Sequence, residues 1–117
     1  LSAMDQSNSA AAKIFVASGA TSMTDVTGFG FLGHLWEMVR RSQFGVRLNI
    51  SAIPIFEGVI ELIAGGTTSS LQESNESVLQ EFVIDSRVDP TKLKALVALK
   101  RLVACWLVCQ RIQLQIV

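Results

Sequence analysis

The chain has 117 residues, with ten basic and ten acidic side chains and a formal net charge of zero. That length suits one domain with a modest core, and the charge balance gives no basic surface for nucleic acid or an anionic membrane. Aromatic content is 7% with no Tyr, which removes a base-stacking platform.

In chain order, residues 2–17 carry a helical pattern. Ser2 and Asp5 form a capping box, Met4, Asn8, Ala11 and Phe15 share one face, and Gly19 ends the helix. Residues 23–27 make a short strand leading to a glycine loop. Leu32, Leu35, Trp36 and Val39 then follow helical spacing, with Arg40 and Arg41 as C-terminal helix charges. Residues 46–50 alternate Val, Arg, Leu, Asn, Ile, the period of a strand with one buried face. A helix is predicted to start at residues 51–54, with Pro54 in its first turn, and to stop at Gly65 and Gly66. Its stripe is Ile55, Val59, Leu62 and Ile63, and Glu57 and Glu61 form a solvated face. Residues 67–75 read as a polar loop and 81–85 as a strand. Asp89 caps a last helix with Pro90 at its first position and Leu93, Leu96 and Val97 as its stripe. Alternating helices and strands predict an α+β (α/β layered) fold, a sheet covered by helices.

Hydrophobic residues make up 50% of the chain. This points to a surface covered by another domain or to a membrane segment. The longest apolar run, residues 102–109, has eight residues, against about 20 needed to span a bilayer. The covered surface is therefore the expectation, with no membrane span. No signal-peptide pattern opens the sequence, which begins at Leu1 and is read as a fragment. Cys105 and Cys109 lack the further ligands of a structural zinc site, since the only His is the distant His34. They are read as reduced thiols or accidents of sequence, with a cytoplasmic setting expected.

The most informative stretch is residues 24–35, Thr-Asp-Val-Thr-Gly-Phe-Gly-Phe-Leu-Gly-His-Leu. It sets Asp25 directly before a loop with Gly28, Gly30 and Gly33. An acid beside glycines and a helix start serves a metal–phosphate pair: the acid holds the cation and glycine lets the backbone approach an anion. The same residues equally make a tight strand-to-helix turn. The glycines match G-x-G-x-x-G, but the preceding strand is short and half polar and no acid follows about 20 residues on, so a dinucleotide site is set aside. Thr24 and Thr27 either donate hydroxyls or cap the turn. His34 has no partner carboxylate in view and is read as a hydrogen-bonding structural residue rather than a base.

This run closely resembles the signature of selenophosphate synthetase (selenide, water dikinase). That family carries Thr-Asp-Val-Thr-Gly-Phe-Gly-Leu-Leu-Gly-His-Leu in its second domain; Phe31 replaces the first leucine here. Met4, Asn8, Ala10 and Ala11 upstream, and Gly45-Val46, Ile53-Pro54, Gly58, Ser70-Leu71 and Asn75 downstream, fall in the family's order. The resemblance covers residues 1–97 and implies the C-terminal domain of the aminoimidazole ribonucleotide synthetase superfamily, a mixed sheet packed with helices. It implies ATP-dependent phosphoryl transfer to selenide, giving selenophosphate. It implies Mg²⁺ and ATP as cofactors, Asp25 as a metal ligand, and Thr27, Gly28 and Gly30 at the phosphates. It further implies a separate N-terminal nucleotide-binding domain and a homodimer in the parent enzyme. Without that domain the chain is expected to be inactive alone. Two alternatives stand beside this: a non-catalytic remnant or dimerisation module, and a sibling ATP-dependent enzyme of the superfamily. Ser70 and Asn75 match family positions without an assigned role.

After Val97 the resemblance stops. The family continues Asp-Pro-Gln-Thr-Ser-Gly-Gly-Leu-Leu, where this chain reads Ala98-Leu99-Lys100-Arg101-Leu102. With permitted codons, one base inserted in the Ala98 codon makes the frame read Asp-Pro-Gln-Ala-Val-Gly-Gly-Leu-Leu. Residues 98–117 are therefore read as a frameshifted tail, in which Cys105, Trp106 and Cys109 carry no selected role. Sequencing the gene checks this: codons 97–100 that do not give Asp-Pro-Gln after one insertion would contradict it.

Overall fold

The computed structural model describes residues 7–98. They form five helices: α1 (Ser9–Ala17), α2 (Gly30–Val39), α3 (Val59–Ala64), α4 (Gln72–Glu76) and α5 (Pro90–Ala98). Two 3₁₀ turns, Ile50–Ala52 and Ser77–Glu81, punctuate the connections. No helix among the described residues is long and apolar enough to cross a membrane.

Helix α5 is the hub, packing against α2, α3 and α4. It starts as the sequence predicts. Asp89 Oδ1 accepts a hydrogen bond from the Thr91 N–H at 2.8 Å, and Pro90 opens the helix where its missing N–H costs nothing. Leu93 of its stripe is half-buried, while Leu96 and Val97 are fully enclosed, both 0% exposed. They meet Phe31, Leu32 and Leu35 of α2 together with Val26 and Val46. Each such side chain contributes roughly 1.5–3 kcal/mol by leaving water. Trp36 adds an edge-to-face contact with Phe82, ring centroids 6.3 Å apart. Arg40, at the C-terminus of α2, pairs with Glu37 at 2.8 Å, in keeping with a helix-end charge.

Helix α1 ends as expected, with Gly19 at φ +80° and the Ala20 N–H returning to the Phe15 carbonyl. None of its residues is buried, and Ile14 and Val16 are 63% and 60% exposed. The Ser2–Asp5 capping box and Met4 lie outside the described residues, as do Cys105, Trp106 and Cys109 in the tail.

Several predicted elements differ. The helix expected from residue 51 begins only at Val59. Pro54 has no N–H to give, and Gly58 sits in the left-handed region at φ +83°, so the chain cannot run helically through either. A short 3₁₀ turn replaces the expected first turn, capped by Asn49 Oδ1 accepting from the Ser51 N–H at 3.1 Å. The polar loop at residues 67–75 contains the start of α4, supported by a Gln72–Glu76 side-chain hydrogen bond across one helical turn. None of the three predicted strands forms a ladder among the described residues. Their alternation nonetheless holds as burial: Val46 is buried and Leu48 and Ile50 pack on the core, while Arg47 and Asn49 are exposed. Period two encodes which side faces inward; a ladder needs a hydrogen-bonding neighbour as well.

Near α5, the Arg87 guanidinium binds Asp85 through two hydrogen bonds of 3.0 and 2.7 Å, and the Arg87 N–H adds a third at 2.9 Å. The side-chain bonds first and the backbone bond second hold the Asp85 carboxyl well below the usual carboxylate range.

Candidate functional site

Val26 is the anchor of the glycine run, buried against the core while Asp25 and Thr27 on either side are exposed. The chain then turns sharply into α2. The Gly30 N–H donates to the Thr27 carbonyl at 3.1 Å, closing a turn with Gly28 and Phe29 at its centre. Phe29 has φ −79° and ψ 1°, and Gly30 has φ +71°. A right-handed residue followed by a left-handed one turns successive backbone N–H groups toward a common side, the geometry of anion-binding nests. Among the described residues, neither the Gly28 nor the Phe29 N–H finds an acceptor. No side chain caps the N-terminus of α2.

The glycines of the run play different parts. A Cβ on Gly30 would stand 2.1 Å from the Val97 carbonyl oxygen, so this glycine lets α2 and α5 touch backbone to backbone. A Cβ on Gly28 would meet only Leu71 Cδ1, at 3.6 Å. At Gly33 it would come within 3.1 Å of Phe29 Cβ, in line with the close packing expected there.

His34 holds the turn from inside α2. Its Nε2 lies 3.0 Å from both the Thr27 N–H and the Thr27 hydroxyl. A backbone N–H only donates, so Nε2 is the acceptor and the ring proton of the neutral imidazole resides on Nδ1. This is the hydrogen-bonding role read from the sequence, and it gives the Thr27 hydroxyl a partner. The Phe29 ring tilts over His34 at 5.8 Å between centroids. Long-range ¹H–¹⁵N spectra of the neutral ring are expected to show the Nδ1-protonated tautomer. An Nε2-protonated ring would contradict the geometry.

Asn75 was seen in sequence only as a matching position. The structure buries it at 6% exposure and points its Nδ2 at two carbonyls, Gly28 at 2.9 Å and Val97 at 3.3 Å. An asparagine in a polar stretch carries no outward sign of burial. The available signal was its place in the family's order.

The Asp25 carboxylate is exposed and makes no hydrogen bond or ion pair with a described residue; Thr24 bonds to its carbonyl instead, at 3.1 Å. Among the described residues no group of three or more His, Cys, Asp or Glu is placed to hold a metal. The residues therefore fit a contribution to a magnesium site and not a whole one. Mg²⁺ commonly takes one or two carboxylates together with phosphate oxygens and water. Two clefts elsewhere in the fold, one apolar around Phe82 and one beside Lys92, are lined by none of residues 25–30.

Comparison with known proteins identifies the family. Residues 3–76 match the family described as AIR synthase related protein, C-terminal domain. The chain belongs to that family. Within it, the sequence is selenophosphate synthetase-like, as the signature indicated. It is 36% identical over 83 residues to a selenide, water dikinase of Geobacter sp. strain M21, covering 71% of this chain and 24% of the relative. Against the enzyme of that name from Trichlorobacter lovleyi it is 33% identical over 86 residues, covering 74% and 25%. For Shewanella sp. strain ANA-3 the figures are 39% over 66 residues, 56% and 19%. The chain spans about a quarter of the length of the first two of these curated relatives.

Proposed function

We propose that this chain forms one side of a selenide, water dikinase site, in which phosphoryl transfer from ATP to selenide yields selenophosphate. The observation that carries this reading is the turn at residues 27–30, with its unclaimed Gly28 and Phe29 N–H groups, which follows the exposed Asp25 in the chain. Asp25 is the ligand offered to Mg²⁺, and the Gly28 and Phe29 N–H groups are the ones left to face the phosphates; of the residues expected there, Thr27 and Gly30 have their N–H groups spent on His34 and on the Thr27 carbonyl and shape the turn instead. Bound metal neutralises phosphate charge, which together with positioning is most of what such transfer needs. The chain's own part is to orient: the buried Val26 fixes where Asp25 leaves the core, and His34 fixes Thr27. The remaining carboxylates and the nucleotide-binding surface belong, on this reading, to a separate N-terminal domain. On this reading residues 1–97 are an incomplete C-terminal-type domain of such an enzyme, 98–117 a divergent tail, and the setting cytoplasmic.

A magnesium titration followed by ¹H–¹⁵N spectra tests the metal assignment. Amides around Asp25 are expected to shift in a full-length protein carrying this domain, and Asp25→Asn is expected to weaken the response at least about tenfold, since an amide loses the charge that Mg²⁺ selects. An unchanged titration curve in D25N would remove Asp25 from the site. Selenide-dependent ATP consumption by the purified chain is expected to be nil, and turnover would overturn the division of labour between domains.

The exposed apolar side chains of α1, Ile14 and Val16, favour a second reading. On it the chain is a non-catalytic module that pairs with a full-length homologue or with itself. Co-purification with a full-length selenide, water dikinase supports it; a monomer indifferent to that enzyme opposes it. A sibling ATP-dependent activity within the superfamily is separated by substrate profiling of a full-length protein carrying this domain.

A further inference from the structure

We propose that Asn75 is a positioning residue, one that sets the direction of the Phe29 N–H in the phosphate-facing turn; the inference rests on the functional reading above. Asn75 lies on α4, far in sequence from the residues it holds. Its side chain is enclosed, and both amide hydrogens are spent on carbonyl oxygens, those of Gly28 and Val97. Both partners are acceptors only, so the amide has one orientation, nitrogen toward them.

The peptide linking Gly28 to Phe29 is planar and trans, as are all peptides here. In a trans unit the C=O and N–H point opposite ways. Drawing the Gly28 carbonyl toward buried Asn75 therefore turns the Phe29 N–H away from the core, toward the exposed side where Phe29 itself is 66% accessible. Without the Asn75 amide the plane is free to rotate about the flanking bonds of glycine, the residue least able to resist. The second bond ties the same amide to Val97, next to the point where Gly30 touches α5. One side chain thus sets the tilt of the turn against the hub helix. Fixing a donor before its ligand arrives lowers the ordering cost of binding.

Two measurements test this. In the wild-type chain, a scalar coupling across the hydrogen bond from Asn75 Nδ2 to the Gly28 carbonyl carbon is expected; its absence from well-resolved spectra would overturn the proposal without any variant. The second is a titration of a full-length protein carrying this domain with Mg·ATP, reading the Phe29 amide. The wild-type signal is expected to move, and Asn75→Ala is expected to raise the half-saturating concentration about tenfold, the scale of losing one preorganised contact. Amides of α2 beyond its first turn should stay in place in N75A, which separates repositioning from unfolding. A Phe29 response equal in wild type and N75A defeats the proposal and leaves the functional reading standing. No response at any residue of the wild type defeats that reading, and this proposal with it.

Discussion

Gly30→Ala is expected to destabilise the chain by about 3 kcal/mol, lowering its melting temperature by about 15 °C. Two costs add. At φ +71° an L side chain pays for the left-handed backbone, roughly 1–2 kcal/mol. The new methyl also collides with backbone, 2.1 Å from the Val97 oxygen, 2.9 Å from its carbonyl carbon and 3.3 Å from the Leu96 oxygen. No rotamer change relieves a clash with backbone, so α2 and α5 must part, and such overpacking costs roughly 1–3 kcal/mol. Gly28→Ala is the matched control. Its methyl reaches only the end of the Leu71 side chain at 3.6 Å, an ordinary contact, and the expected change is within about 0.5 kcal/mol. Thermal melts of the two variants side by side decide the matter. Equal losses would mean that the close approach of the two helices is wrong.

Leu96→Ala is expected to cost roughly 2–5 kcal/mol, seen as a lower urea midpoint with an unchanged slope. Leu96 has no exposed surface and sits on α5, which packs against α2, α3 and α4. Removing its branched end leaves a hole that rigid neighbours cannot close. A small domain holds only about 5–15 kcal/mol in total, so this single change puts much of the population at risk of unfolding. Leu62→Ala is the comparison, because Leu62 is 59% exposed and its removal should shift the midpoint by about 0.5 kcal/mol or less. A loss at Leu62 matching that at Leu96 would displace α5 from the centre of the fold.

Local signals were legible where one residue decides the outcome. The Asp89 cap, Pro90 at the helix start, Gly19 at a helix end and the stripes of α2 and α5 all lie where the sequence pattern puts them. Pro54 and Gly58 were misjudged together. The pattern Ile55, Val59, Leu62, Ile63 outweighed two backbone restrictions, and the restrictions prevailed. Helix α4 was invisible because a short polar helix has no apolar period to read. At the site, the type of each residue hinted at its chemistry, while its partners lay elsewhere in the chain. Asn75 reaches Gly28 across 47 positions and Val97 across 22, and no local pattern carries such a link. Gly28 and Gly30 looked alike for the same reason: the neighbour that distinguishes them is the backbone of α5.

Val97, the last residue of the resemblance read from the sequence, is also the most C-terminal of the described partners of the turn and its clasp. The supports of the glycine turn (His34, Asn75 and the α5 backbone at Val97) are all encoded by that point. A single-base slip at the next codon would rewrite everything translated afterwards and leave this scaffold's instructions whole.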